Sequence, residues 1–258
     1  MKSDKPLLWV LHNMPRSGGT LLSKCLGSMK SAVLLSEIHP DAQHALSFNA
    51  LNQAQQWYDF LPQLNWQETE FVDAITRIQG IAEKNNKQLI LRDWSHVDYL
   101  GPPVTNRPKR VPALLEVLSP YFKIRSIQLV RHPLDTWLSL RRLNLIKKNG
   151  ISIETFLRAY RCYLDCTDSH CRLVYEDFLK SPNEQLHELC GKVGLVYDSA
   201  YQEKWFDFKK ITGDTSNSTS LRGKPVIEFR PRRPFTDIDE AWLAQQPDYK
   251  YLINELYG

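Results

Sequence analysis

The hydrophobic residues of this chain fall into short apolar runs that alternate with segments of helical spacing. Runs of this length are typical of buried strands, and a 3.6-residue spacing is typical of helices that cover a sheet. The strand candidates are Leu7–Leu11, Ala32–Glu37, Gln88–Asp93, Lys123–Arg131 and Cys171–Glu176. Strands and helices that alternate in this way predict an α/β fold with a central parallel sheet of about five strands covered on both faces.

The chain has 258 residues, a length that suits one domain, and we expect residues 1–258 to form a single α/β unit. Residues 41–86 have a mostly helical pattern, with Phe71, Ile75 and Ile78 at amphipathic spacing, and are expected to form a helical insertion. From about residue 200 to residue 258 the pattern weakens, which predicts a loop-rich carboxyl-terminal part.

Composition narrows the class of protein. Hydrophobic residues make up 42% of the chain, and the formal net charge is +4, which suits an anionic ligand but is too small to indicate nucleic acid. No apolar run approaches the roughly 18 residues of a membrane-spanning helix, so we expect no membrane association. Five cysteines without an export signal favour reduced thiols and a cytoplasmic location.

The segment Pro15–Lys24 joins the first predicted strand to a helix through two adjacent glycines. In such a loop, backbone N–H groups point into one concavity, and the helix dipole adds partial positive charge there. The pattern therefore predicts a site for a phosphate-like anion in a P-loop-like domain. The alternative is an ordinary Gly-Gly turn that binds nothing.

This loop differs from the ATP-binding Walker A pattern. Asn13 stands where that pattern has its first glycine, and Gly19 stands where it has its lysine. The cation is instead Arg16, inside the loop. The strand Leu89–Asp93, which could supply a Walker B carboxylate, is interrupted by Arg92, so a magnesium site is poorly supported.

A second anion site is predicted where the strand Lys123–Arg131 ends. Arg131 lies at the carboxyl end of that strand, where open α/β sheets bind ligands. Pro133 can begin the following helix, which places Ser139 about two turns into it. A guanidinium and a hydroxyl are a suitable pair for a phosphate monoester.

These motifs resemble those of sulfotransferases that use 3′-phosphoadenosine 5′-phosphosulfate, in a soluble, bacterial form. Pro15–Leu22 is similar to the 5′-phosphosulfate loop of carbohydrate and tyrosyl-protein sulfotransferases. Arg131–Ser139 is similar to the R-x-P-x-D-x-x-x-S motif for the 3′-phosphate, and Leu173–Phe178 resembles the family's Y-E-D-L segment. The three motifs occur in the family's order.

The resemblance implies transfer of a sulfuryl group to a hydroxyl or amine of a small metabolite or natural product, with no metal required and 3′,5′-adenosine bisphosphate as product. Arg16 is expected to hold the sulfate and bridging oxygens, and Tyr175 to lie near the adenine. The further donor-binding residues that it implies are the backbone of Ser17, Gly18, Gly19, Thr20 and Leu21, the side chains of Arg131 and Ser139, and the late basic pair Arg222 and Gly223.

The general base stays open among three residues. Glu37 ends the second strand, where the tyrosyl-protein type has its glutamate, and is the first choice. His96, which we expect at the end of the third strand, is near the place of the histidine of the cytosolic type, although the T-H-L-P pattern is absent. His39 is the third candidate, and both His39 and Trp94 are candidate contacts for the acceptor.

Three other interpretations have some support in the sequence. Cys162, Cys166 and Cys171 could suggest zinc, but their spacing is more typical of a packed helix and strand. A non-catalytic module that binds adenosine bisphosphate, or a P-loop kinase or NTPase, could also carry such a loop. The sequence identifies neither the acceptor nor the oligomeric state.

Overall fold

Five parallel strands form one sheet with the order β2-β3-β1-β4-β5. The strands are β1 (Leu7–Asn13), β2 (Ala32–Ile38), β3 (Gln88–Asp93), β4 (Lys123–Val130) and β5 (Arg172–Val174). The computed structural model describes residues 5–61, 65, 67–101, 108–166, 171–213, 226–232, 234–236 and 238–258. The predicted α/β fold with a parallel sheet of five strands is confirmed.

Helices connect the strands and flank the sheet. In chain order they are α1 (Gly19–Gly27), α2 (Ala50–Trp57), α3 (Phe71–Lys84), α4 (His96–Tyr99), α5 (Ala113–Leu118), α6 (Pro133–Leu140), α7 (Asn144–Lys148), α8 (Ile153–Cys166), α9 (Tyr175–Lys180), α10 (Pro182–Val193), α11 (Tyr201–Lys204), α12 (Glu240–Leu243) and α13 (Pro247–Tyr257). Proline occupies the first turn of α6, α10 and α13, where its missing N–H costs nothing.

The alternation of side chains along β1 shows how the core is divided. Val10 packs into a cluster with residues of α2, α3 and α5 on one face of the sheet. Trp9 and Leu11 pack on the other face with residues of α1 and α10. A third cluster joins α6, α8 and α13 beside the end of β4. Both faces of the sheet are therefore buried. A binding site can form only at the edge where the carboxyl ends of the strands lie.

The helical segment 41–86 is the crossover from β2 to β3. The crossover begins with two short 3₁₀ turns, Pro40–Ala42 and Leu46–Phe48, which are followed by α2 and α3. Ile75 and Ile78 of α3 are fully buried in the cluster against β2 and β3. The amphipathic spacing in the sequence thus corresponds to the face that covers the sheet.

Two strand ends differ from the prediction. His96 does not end the third strand, because β3 stops at Asp93 and His96 begins α4. Between them the Ser95 hydroxyl donates to Asp93 Oδ2 at 2.7 Å and stabilises the turn from strand to helix. Tyr175 begins α9 instead of continuing β5. Its neighbour strand β4 ends at Val130, which pairs with Val174, so no ladder partner remains for Tyr175.

Candidate active site

The loop after β1 forms the centre of the carboxyl edge. Gly18 caps α1 with a φ of 99°, in the left-handed region that glycine adopts without steric cost. A Cβ built on Gly18 would lie 2.2 Å from the ring of Tyr175. Only glycine therefore fits here, because the backbone lies directly against that ring. No side chain caps the start of α1, so the cap leaves its first N–H groups to an anion, and the first turn has no acidic residue to repel one.

Arg16 has a left-handed backbone without being a glycine. Its φ of 70° costs about 1–3 kcal/mol, a strain found more often at functional sites than elsewhere. The side chain is fixed by its Nε, which donates to Ser139 Oγ at 2.9 Å. The Arg16 carbonyl accepts from Arg131 Nη1 at 2.9 Å. The two motifs that the sequence places far apart therefore meet at one arginine.

Arg131 is held on three sides. Its N–H donates to the Tyr160 hydroxyl at 2.8 Å, and that hydroxyl donates to the Arg131 carbonyl at 2.6 Å. Its guanidinium lies 5.1 Å from the centre of the Tyr175 ring. Because β1 and β4 are hydrogen-bonded neighbours, the predicted anion sites lie side by side.

A cleft of about 1140 Å³ opens in front of this arrangement. Eight of the residues that line it are lysine or arginine and only three are aspartate or glutamate. The cationic residues are Arg16, Lys24, Arg92, Arg131, Arg141, Arg142, Arg230 and Arg232. Its charge and volume suit a ligand with several anionic groups.

The structure brings most of the predicted donor-binding residues to this cleft. Those that line it are Arg16, Gly18, Gly19, Thr20, Leu21, Arg131, Ser139 and Tyr175. Ser17 is the exception. It is fully buried and turned inward, and both its N–H and its hydroxyl donate to the Met14 carbonyl, at 3.2 and 2.6 Å. The turn uses that N–H itself, a placement that does not agree with the expectation that the Ser17 backbone holds the 5′-phosphate. Arg222 and Gly223 lie outside the described residues.

A second, much smaller cavity of about 20 Å³ adjoins the cleft, and Asn13 and Arg92 line both. Glu37, Trp94 and His96 also line the small cavity, together with Pro15, Asp93 and Ser95. Such a volume holds about one water molecule or one hydroxyl-sized group. The two leading candidates for the general base thus face the same small space beside Pro15, the first residue of the loop.

The backbone at Glu37 is strained as well. Its φ is 56°, and the pairing of β2 with β3 shifts register between Leu35 and Ile38. This irregularity turns the Glu37 side chain to the carboxyl edge, where one oxygen lies 3.5 Å from Arg92 Nη2. The position of Glu37, a candidate base, therefore results from the register shift between β2 and β3.

Arg92 is a functional candidate that the sequence interpretation missed. Its buried guanidinium contacts Asn13 Oδ1 at 3.2 Å, Ser36 Oγ at 3.3 Å and the Glu37 carboxylate. Burial lowers the pKa of Arg92, while the charge of Glu37 opposes that shift. In the sequence the residue only interrupts an apolar strand, and no local pattern marks it as the link between loop and base.

His96 packs edge-on against Trp94, with ring centres 4.7 Å apart, and Trp94 stacks on Phe48 at 4.1 Å. Burial lowers the pKa of His96 to about 4, with Glu37 opposing the shift. The imidazole is therefore neutral at pH 7 and can accept a hydrogen bond, but as a base it is no stronger than a carboxylate.

His39 does not reach either cavity. It is fully buried, its Nε2 lies 3.2 Å from Asp98 Oδ1, and its Nδ1 accepts from the Asp41 N–H at 3.2 Å. With both ring nitrogens engaged, His39 caps the 3₁₀ turn Pro40–Ala42. The expectation that it removes a proton from the acceptor, or contacts the acceptor, does not agree with this placement.

A late segment of the chain closes over Glu37. The Thr212 N–H and hydroxyl donate to Ser36 Oγ at 3.2 and 2.9 Å. Gly213 follows with a φ of 73°, and a Cβ built there would lie 2.8 Å from Glu37 Oε1. The segment therefore forms a wall of the site, and a side chain at this position would displace the Glu37 carboxylate.

We expect Gly213→Ala to lower the turnover of the expected sulfuryl transfer by roughly tenfold or more, because the added methyl group displaces the Glu37 carboxylate. Alanine in the left-handed region also adds about 1 kcal/mol of strain. Steady-state turnover and the unfolding midpoint are the measurements. Gly194→Ala is the matched control, since Gly194 has a φ of 76° and a methyl group added there would meet no atom within 4 Å. Equal losses of activity in the two variants would contradict the expectation.

Metal centres and membrane spans are two other classes of feature that bear on function. Among the described residues, no group of three or more His, Cys, Asp or Glu side chains is placed to hold a metal ion. None of the helices within that part of the chain is long and apolar enough to cross a membrane.

Comparisons with known proteins agree with this fold. The sulfotransferase domain of the Synechococcus PCC 7002 olefin synthase has a TM-score of 0.71 at 19% identity, covering 99% of this chain and 96% of that one. The sulfotransferase domain from the curacin biosynthetic pathway has a TM-score of 0.60 at 15% identity, covering 98% of both chains. No curated protein sequence matches the chain. Residues 11–199 match the model of the sulfotransferase family. The chain therefore belongs to the sulfotransferase family.

Proposed function

We propose that this protein transfers the sulfuryl group of 3′-phosphoadenosine 5′-phosphosulfate to a hydroxyl or amine of a small metabolite or natural product. The observation that carries the proposal is the junction at Arg16, whose Nε binds Ser139 and whose carbonyl binds Arg131. One arginine thus joins an anion loop to a second anion site. A donor with phosphates at both its 5′ and 3′ positions needs two such sites in one cleft.

The residues of the cleft fit this donor. The N–H groups at the start of α1 and the Arg16 guanidinium suit the phosphosulfate, while Arg131 and Ser139 suit a separate phosphate monoester. Tyr175 lies between the loop and Arg131 and offers an aromatic surface. When bound, the donor supplies an activated sulfuryl group and leaves as the bisphosphate.

Arg16 is proposed to stabilise the charge that develops on the leaving phosphate. Its position is set before any ligand binds, because the strained backbone and the Ser139 hydroxyl fix the guanidinium. Preorganised donors of this kind are commonly the largest contribution to catalysis. This role differs from simple binding and can be separated from it by kinetics.

Glu37 is proposed to take the proton of the acceptor. It lines the small cavity next to the loop, and Arg92 fixes its carboxylate. His96 lines the same cavity and is the second candidate for this step. Trp94, stacked on Phe48, is proposed to contact the acceptor near its nucleophilic group.

The two similar structures are named for an olefin synthase and for the curacin biosynthetic pathway. These names support a biosynthetic intermediate as acceptor. We further propose that the protein acts in the cytoplasm on a small molecule, in keeping with its small net charge.

The proposal is tested by incubating the protein with the phosphosulfate donor and a panel of alcohols, phenols and amines. We expect release of 3′,5′-adenosine bisphosphate with at least one acceptor, and calorimetry should show binding of the bisphosphate without magnesium. Binding without turnover on any acceptor would favour a non-catalytic nucleotide module. Magnesium-dependent hydrolysis of ATP in place of bisphosphate binding would favour an NTPase and contradict the proposal.

A further inference from the structure

Three carboxylates line the large cleft, those of Asp135, Glu176 and Glu228. Two of them pair with arginines, because Arg232 Nε donates to Asp135 Oδ1 at 2.7 Å and Arg230 Nε donates to Glu228 Oε1 at 2.8 Å. Glu176 forms no ion pair with a lysine or arginine in the part of the chain that the structure describes. A carboxylate without a cation, in a cleft that suits anions, needs another explanation.

Glu176 binds two groups from other parts of the fold. Its Oε1 accepts from the His132 N–H at 3.0 Å, and its Oε2 accepts from the Tyr257 hydroxyl at 3.1 Å. Burial, together with the charge of Glu176, raises the pKa of Tyr257, so this hydroxyl keeps its hydrogen and donates it. The carboxylate, which belongs to α9, therefore connects the end of β4 to α13.

The hydrogen bond to His132 lies where the sheet no longer supplies one. β4 and β5 pair as far as Val130 and Val174, and the next residue after His132 is Pro133, which begins α6 and has no N–H. The N–H of His132 therefore needs an acceptor from outside the ladder. Glu176 provides that acceptor from the first turn of the neighbouring helix.

The peptide bond between Arg131 and His132 is consequently held at both of its polar ends. Its C=O accepts from the Tyr160 hydroxyl at 2.6 Å, and its N–H donates to Glu176 Oε1 at 3.0 Å. These two contacts restrain rotation of the peptide, so the backbone of Arg131 keeps one orientation while its Nη1 donates to the Arg16 carbonyl. A binding group that is oriented in advance loses less conformational freedom when the ligand arrives.

We infer that Glu176 is a positioning residue that, by fixing the peptide after Arg131, makes the protein select a nucleotide with a 3′-phosphate. The inference rests on the proposed phosphosulfate donor and deepens it, because it assigns the choice between a bisphosphate and a monophosphate to a residue that acts through the backbone. The hydrogen bond of Glu176 favours the ligand, whereas its charge repels a phosphate. Removing the acceptor and removing only the charge therefore have different consequences.

The test measures by calorimetry the affinities for 3′,5′-adenosine bisphosphate and for adenosine 5′-monophosphate. We expect Glu176→Ala to lower the ratio of the two affinities by about tenfold, the effect of one charge-assisted hydrogen bond, with monophosphate affinity within about threefold of wild type. Glu176→Gln should keep the ratio within about twofold or raise it, because the amide oxygen still accepts from His132 and the amide nitrogen can donate to Tyr257. An unchanged ratio in Glu176→Ala, or equal losses in both variants, overturns the inference.

Glu228→Ala is the matched control, since it removes a carboxylate from the same cleft without touching the end of β4. We expect its ratio to stay at or above the wild-type value, because the lost charge only weakens repulsion of the phosphates. A fall as large as that in Glu176→Ala would mean that the ratio follows any disturbance of the cleft, and it would contradict the inference.

A crystal structure of the wild-type protein with the bisphosphate needs no variant to fold. We expect oxygens of the 3′-phosphate about 2.6–3.2 Å from the Arg131 guanidinium, with Glu176 Oε1 still bound to the His132 N–H. A 3′-phosphate held elsewhere in the cleft, or a Glu176 turned away from His132, overturns the inference. If the wild-type protein binds the bisphosphate no more tightly than the monophosphate, the proposed donor fails together with the inference. A wild-type preference that survives in Glu176→Ala overturns the inference alone.

Discussion

Replacing Arg16 by alanine is expected to lower turnover by about 10²–10³-fold while weakening adenosine bisphosphate binding by less than about tenfold. The guanidinium is proposed to hold the sulfate and bridging oxygens while the S–O bond to the leaving phosphate breaks. The bisphosphate complex has no sulfuryl group, so it lacks part of this contact. The loop N–H groups and Arg131 remain to bind the phosphates. Turnover with the phosphosulfate donor and bisphosphate affinity by calorimetry are the two measurements.

The controls separate the charge of Arg16 from its orientation. Arg16→Lys keeps the charge but loses the paired donors of the guanidinium, so we expect most of the activity to be lost. Ser139→Ala removes the acceptor for Arg16 Nε, and we expect a smaller loss of turnover together with weaker bisphosphate binding. Equal losses of turnover and affinity in Arg16→Ala would mean that Arg16 only binds the donor.

The anion sites could be predicted because their signals are local. Gly18 with the following helix pattern, and Pro133 after Arg131, mark two strand-to-helix turns. Carboxyl ends of parallel strands meet at one edge of a sheet, so two such turns lie near each other. The sequence could not predict that the motifs touch at Arg16, because that contact depends on β1 and β4 being neighbours.

The acceptor side could be predicted only in part, for a different physical reason. Glu37 is marked by its position at a strand end, but its left-handed backbone and the register shift beside it have no signature in the residues themselves. Arg92 belongs to an apolar strand pattern, and its importance comes from buried contacts with residues far along the chain. Gly213 depends on where a late loop crosses β2.

The inward turn of Ser17 shows a related limit. Its N–H closes a turn onto Met14 because Arg16 takes a positive φ, which a residue with a long side chain rarely does. The general pattern of an anion loop assigns that N–H to the ligand. Strain at Arg16, which helps to aim its guanidinium, therefore removes one donor from the loop.

Glu37→Gln is expected to lower turnover on the best acceptor by about 10²–10⁴-fold, because the amide cannot take the proton of the acceptor. Bisphosphate affinity should stay within about threefold, since Glu37 does not line the large cleft. The amide oxygen can still accept from Arg92, so the buried guanidinium keeps a partner and the unfolding midpoint should fall by only a few degrees. Turnover, calorimetry and thermal unfolding measure the three effects.

The companion variant His96→Gln decides between the two residues that share the small cavity. A carboxylate that acts as base gives a kcat/KM profile with an acid limb, and that limb should vanish in Glu37→Gln and persist in His96→Gln. His96 is neutral through the neutral pH range because burial lowers its pKa to about 4, so its replacement removes packing and a hydrogen-bond acceptor without removing a charge. We therefore expect His96→Gln to cost no more than about tenfold in turnover. A larger loss in His96→Gln than in Glu37→Gln would assign the proton transfer to the histidine and leave Glu37 as the residue that holds Arg92 in place.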